Sequence, residues 1–172
     1  MGITGIGLLY VGCVLLMNGI ATIQKSDAKA KAVMNFFTGG LYVALNLANL
    51  AHAVFSGADI SAYYGIGTSM LFGFTYLYVA FTDWFALDGR SLAWYCFFVG
   101  VNTIPCAIQS FCGGDIRFGV IWLIWGFLWF LYWLAGAFKK IKVAAGFVGA
   151  ATIIIGVATC WIPGYLIISN LW

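Results

Sequence analysis

Glutamate is missing from this sequence, histidine occurs once (His52), proline twice, and charged residues make up only 8% of its 172 positions. A soluble domain carries about 25% charged residues, so these shortages exclude one. The same poverty excludes most chemistry. Catalysis asks for a nucleophile beside a base, a carboxylate pair or a metal cluster, and no such constellation is present. His52 has no carboxylate within the apolar runs to orient it, and no close His/Cys spacing of the zinc type occurs. We therefore expect no enzyme, no metal and no cofactor. The net charge of +3 sits at the edges of apolar runs, which argues against nucleic acid. The five cysteines (Cys13, Cys96, Cys106, Cys112, Cys160) lie mostly inside those runs, as small apolar fillers and not as a disulfide framework. Charge is also missing from the middle of every run. Ion conduction calls for charged rings or carbonyl filters and proton relays for intramembrane carboxylates. What remains is a neutral permeant.

What the chain has in abundance is hydrophobic length, at 64% of residues. Six apolar runs cover residues 4–23, 32–55, 62–82, 92–112, 117–138 and 143–169. Each is near the roughly 20 residues that cross a bilayer as helix, and their continuity excludes a membrane barrel. The predicted fold is an all-α integral membrane protein, one six-helix domain over residues 1–172. The first run has no basic leader and reads as a genuine span, not a signal peptide. Lys25, Lys29, Lys31, Arg90, Lys139, Lys140 and Lys142 fall in odd-numbered loops and only Arg117 in an even one. The positive-inside rule then puts odd loops in the cytoplasm and both termini outside.

The six runs carry a repeat. Gly12 to Gly39 spans 27 residues, Gly73 to Gly100 another 27, and Gly126 to Gly156 spans 30. This pattern describes three repeated two-helix hairpins around a pore, with glycines where backbones approach closely. Pro105 and Pro163 sit late in helices four and six, each freeing a carbonyl one turn back. Thr103 and Thr159 are near enough to satisfy those carbonyls.

Two groups of residues are candidates for a pore wall. Asn18 continues a helical stripe of Leu8, Val11 and Leu15, and an amide there either bonds a neighbouring helix or a passing solute. Trp122, Trp125 and Trp129 stand at i, i+3 and i+7, on one helix face, with Phe118 and Trp133 near its extension. On helix three, Phe74 and Tyr78 are i, i+4 neighbours. Mid-span indoles have no lipid partner for their N–H, so the stripe faces inward. Inward aromatics either pack together or form a slot for a flat neutral molecule, and the residues leave both open.

At this point a resemblance enters. Leu8-Leu9-Tyr10-Val11-Gly12, Asn18-Gly19, Ala32-Val33-Met34-Asn35-Phe36-Phe37, Leu71 to Tyr78, Trp94-Tyr95, Trp122 to Trp129 and Trp161-Ile162-Pro163 follow in order. Over essentially its whole length the chain resembles the urea channel/amide transporter (AmiS/UreI-type) family, and the bacterial urea channels within it more than the aliphatic-amide members. The resemblance implies a homohexamer in the bacterial inner membrane with a pore in each protomer. It implies passive flow of urea toward a cytoplasmic urease (an amidase for the amide members). It carries pore constrictions onto Leu8, Val11, Leu15, Phe74, Tyr78, Trp122, Trp125, Leu128 and Trp129. Two departures stand out. Acid-gated members have long outer loops rich in histidine and carboxylates, whereas Ser56–Ser61 and Gly113–Ile116 are short and hold only Asp59 and Asp115; the expectation is pH-independent conduction. Where gated urea channels carry a Glu in helix six, this chain has Ile155. A channel for short amides such as acetamide and, more distantly, a non-conducting membrane scaffold stay as alternatives to urea.

Overall fold

The structure, a computed structural model, describes residues 2–138, 141 and 143–172; Lys139, Lys140 and Lys142 lie outside them. Six helices account for nearly all of it: α1 (Gly2–Gln24), α2 (Ala28–Ser56), α3 (Ile60–Trp84), α4 (Arg90–Cys112), α5 (Ile116–Ala137) and α6 (Ala145–Ile168). At 1.5 Å per residue, helices of this length match the roughly 30 Å hydrocarbon core of a bilayer. Five of the six are long and apolar enough to cross a membrane. The sixth, α2, is 29 residues long but is diluted by Lys29, Lys31, Asn35, Thr38, Asn46, Asn49 and His52. Its amides are turned inward: Asn35 and Asn46 are buried and hydrogen-bonded.

Local chemistry sets the helix ends. Asp27 caps α2 by accepting the Ala30 N–H at 2.9 Å, and Asp115 caps α5 through the Phe118 N–H at 3.0 Å; such caps contribute about 1 kcal/mol each. Gly57 ends α2 in the left-handed region at φ 64°, which glycine adopts without steric cost. In α6, residues Val157–Trp161 form a π turn, and the Ile162 N–H reaches back five residues to the Val157 carbonyl. Pro163 follows at once, so the wide turn absorbs the helix's missing donor.

The threonines near the prolines act differently from the sequence expectation. Thr103 Oγ1 donates to the Gly100 carbonyl at 2.7 Å and Thr159 Oγ1 to the Ile155 carbonyl at 2.6 Å. Neither carbonyl is the one four residues before a proline. A helical hydroxyl reaches only the carbonyl three or four residues before itself, so it cannot serve the one its neighbouring proline frees.

The repeat glycines meet across hairpins, not within them. Gly12 of α1 faces Trp161 and Gly156 of α6; Gly39 of α2 faces Gly73 and Leu77 of α3; Gly126 of α5 faces Gly100 and Thr103 of α4. The close pairs are therefore α1 with α6, α2 with α3, and α4 with α5. The two helices of each hairpin diverge, and each binds tightly to the next hairpin. Gly5 of α1 lies against Ile168 and Gly164 of α6, so the first and last helices close the ring. The ring has a termini end, with the start of α1 and the finish of α6, and a basic end, with Lys25, Lys29, Lys31 and Arg90.

Gly39 and Gly40 test this arrangement side by side. A Cβ on Gly39 would sit 2.7 Å from the Leu77 backbone nitrogen, while one on Gly40 meets nothing within 4 Å. Gly39→Ala is expected to lower the thermal midpoint of the detergent-solubilised protein by about 3–10 °C, the scale of an overpacked contact. Gly40→Ala leaves it unchanged or slightly raised, because alanine favours helix over glycine. Thermal denaturation followed by gel filtration reads both.

Candidate functional site: a lined cavity behind an aromatic cluster

Inside the ring lies a cavity of about 460 Å³ to which all six helices contribute. Its wall comprises Val11, Leu15, Asn18 and Thr22 of α1, Lys31 of α2, and Phe72, Thr75, Tyr76, Val79, Thr82 and Asp83 of α3. Leu92, Ala93 and Cys96 of α4, Trp125, Leu128, Trp129 and Tyr132 of α5, and Val148 and Cys160 of α6 complete it. It opens toward the basic end. A second cavity of about 360 Å³ lies between α1, α2 and α3 at the termini end, lined by Thr4, Tyr42, Asn46, Asn49, His52 and Ser69 among others.

An aromatic cluster divides the two spaces, with Phe72 at its hub. Its ring centroid is 4.9 Å from Trp125, 5.1 Å from Trp129, 5.8 Å from Trp122 and 5.7 Å from Tyr42. Trp122 and Trp125 meet edge to face at 5.0 Å. Such pairs contribute about 0.5–1.5 kcal/mol beyond the area they bury. Leu8, only 2% exposed, and Trp122 sit one turn beyond the main cavity on the termini side, so the cluster seals it there.

The polar groups of this region are largely committed to one another. The Trp125 indole N–H donates to Thr159 Oγ1 at 2.8 Å, and the Tyr132 and Thr152 hydroxyls are 2.9 Å apart. Asn18 and Asn35 exchange amide bonds at 3.0 and 2.7 Å, and Asn35 also donates to the Lys31 carbonyl at 2.9 Å. Trp125 thus offers the cavity a ring face and not its N–H, and Asn18 is both a helix clamp and part of the wall. Through the middle of the cavity no charged side chain appears among the described residues. Among the described residues, one ion pair lies on its wall, Lys31 with Asp83 at 3.0 Å, at the basic end.

Val11, Leu15, Asn18, Trp125, Leu128 and Trp129 are therefore brought together on the wall, with Leu8 and Trp122 in the seal. Phe74 and Tyr78 are not. Phe74 is 50% exposed on the outside of the ring, and Tyr78 meets Tyr95 in a tilted contact at 5.9 Å. Their places are taken by Phe72 and Tyr76, two residues earlier. Two residues turn a helix by about 200°, so the expected pair lies on the opposite face. The signal was the run Phe72, Thr75, Tyr76, Val79, Thr82 and Asp83, at helical spacing: its hydroxyls and carboxylate mark the face kept from lipid. Trp133 also departs from the stripe. It sits in an outer group with Trp94, Phe97 and Phe138, while Phe118 packs on Trp172.

Phe72→Ala empties the hub, and such a deletion in a core leaves a cavity. In proteoliposomes it is expected to raise glycerol permeability about fivefold or more, while Phe74→Ala changes it by less than about twofold; equal effects would remove Phe72 from the wall.

This fold recurs in known proteins. A crystal structure of the urea channel from Helicobacter pylori superposes with a TM-score of 0.90 at 39% identity, covering 98% of this chain and 99% of that one. The H. pylori acid-activated urea channel is 38% identical over 195 aligned positions, 98% of each chain. A Mycolicibacterium smegmatis protein whose name describes an amidate-substrate transporter is 37% identical over 98% of this chain and 78% of its own. The family model described as AmiS/UreI family transporter matches residues 3–171. The chain belongs to the AmiS/UreI family of transporters, and not to any class of enzymes.

Proposed function

We propose that this protein is a passive channel for urea across the bacterial inner membrane, selecting small neutral amides by its aromatic and aliphatic slot. The observation that carries this reading is the wall itself. Phe72, Trp125, Trp129, Leu15 and Leu128 give flat and aliphatic surfaces, and charge is confined to the basic end. A planar uncharged solute slides between ring faces at low cost, whereas an ion would lose its hydration with nothing to replace it. Weak contacts allow rapid exit. Leu8, Val11, Trp122, Trp125, Leu128 and Trp129 act as the constriction together with Phe72 and Tyr76. The basic end faces the cytoplasm by the positive-inside rule, which puts both termini outside. The exposed apolar flanks face lipid and other copies of the chain in a homohexamer, and urea leaving the pore feeds a cytoplasmic urease.

The channel conducts independently of acid. Its loops at the termini end carry no histidine, and the Asp115 carboxylate is spent on capping α5. The alignment with the acid-activated relative runs over 195 positions, more than the 172 of this chain, so that relative has insertions that this chain lacks. Ile155 is buried, leaving no titratable group there.

A second reading, passage of short aliphatic amides such as acetamide, is favoured by the comparable identity to the amidate-substrate relative. Stopped-flow permeability of proteoliposomes to urea and acetamide separates the two, with urea the faster on the lead reading. Urea flux at pH 5 is expected within about threefold of that at pH 7.5, since an imidazole switch would act between these values; a tenfold rise at pH 5 would sink the ungated reading. Trp129→Ala should change flux. If it alters only stability and the parent protein passes neither solute, the chain is a scaffold.

A further inference from the structure

The basic end of the cavity holds polar groups that the helix contacts leave unused. Thr82 is 8% exposed, lines the cavity, and its buried hydroxyl has no partner among the described residues. Most helical threonine hydroxyls here bond the carbonyl three or four residues back, as Thr22, Thr75 and Thr103 do, though the buried Thr38 hydroxyl, away from this wall, does not. Thr82 does not, and an unpaired buried hydroxyl costs about 1–3 kcal/mol. Its neighbour Asp83 also lines the cavity. Asp83 Oδ2 lies 3.0 Å from Lys31 Nζ but out of hydrogen-bond alignment, so the pair attracts by charge while the oxygen keeps its acceptor capacity. The two side chains retain partial exposure, 26% and 17%, and both line the same space.

We propose that Thr82, Asp83 and Lys31 form a binding station for a neutral amide at the basic mouth of the cavity. The site rests on the channel reading above and names where its solute regains polar contact. A urea-type molecule presents N–H donors and one carbonyl acceptor on the same plane. Asp83 accepts its N–H, and the Thr82 hydroxyl and the Lys31 ammonium donate to its carbonyl. The solute crosses the aromatic slot with few hydrogen bonds, so a station beside the slot offsets part of its lost hydration before water takes over. Opposed charges of the pair cancel at a distance, so the station attracts a dipolar solute without recruiting ions of either sign.

The plain alternative is that Lys31 and Asp83 only tie α2 to α3, as exposed ion pairs do weakly. Thr82 separates the two, because it takes no part in that tie. Urea and osmotic water permeability are measured by stopped flow in the same proteoliposomes of the full chain. Thr82→Val is expected to lower urea permeability about three- to tenfold, the scale of one lost hydrogen bond, with water permeability within about twofold. Thr82→Ser restores the hydroxyl and rescues urea flux. Asp83→Asn and Lys31→Met lower the urea-to-water ratio in the same direction. A Thr82→Val protein with an unchanged ratio, or with both permeabilities falling together, overturns the station. Absence of urea and acetamide flux in the unsubstituted protein instead overturns the channel reading, and the station with it.

Discussion

Three glycine-centred helix crossings hold this molecule together. At the crossings of Gly12 with Gly156, Gly39 with Gly73 and Gly100 with Gly126 a Cβ has little room: on Gly12 it would meet the Trp161 backbone, on Gly39 the Leu77 backbone, on Gly126 the Thr103 hydroxyl and on Gly156 the Leu15 side chain. In a bilayer, helices gain little from hiding apolar surface, since lipid tails are as apolar as leucine. Association rests on van der Waals contact, which falls away steeply with a gap of even 1 Å. The glycine pairs give that contact. They also decide where the large residues go. With the pairs tight, Phe72, Trp125, Trp129 and Tyr132 are directed into the space that the three pairs surround. The cavity is a by-product of tight pairing at its rim.

The interior applies a second rule, that mid-membrane polar groups be paired among themselves. Asn18 with Asn35, Trp125 with Thr159, and Tyr132 with Thr152 each join two different helices. These bonds fix helix rotation as well as satisfying donors. They leave a wall that a solute meets mainly as ring faces and methyl groups, with polar contact returning at the ends. On the proposed channel reading, selectivity follows from shape and dehydration cost rather than from strong binding, which suits rapid passage.

Much of this was legible in the sequence. Apolar length gave all six helices, with α2 starting at Ala28 instead of at residue 32 because a cap at Asp27 and a charged first turn belong to the helix. The glycine spacing gave the repeat. The indole stripe gave Trp125 and Trp129 on one face, since three large residues at helical spacing leave no doubt about which side they share. The α3 face was misjudged because its aromatics at 72, 74, 76 and 78 occupy both sides. The hydroxyls at Thr75 and Thr82 and the Asp83 carboxylate distinguish inside from outside. The cross-hairpin pairing and the π turn at Val157–Trp161 were not legible: one depends on contacts between distant segments, the other on how Pro163 is accommodated.

The closure of α1 against α6 has a consequence in time. Gly12 and Gly156 belong to α1 and α6, which leave a ribosome well apart in time. At about 5–20 residues per second, α1 waits roughly 10–30 s for its tight partner. Until then α2–α3 and α4–α5 can dock, but the ring has an open side and its inward groups face lipid. The finished wall therefore exists only after α6 arrives, so a chain cut before α6 would hold an unsealed groove in the membrane.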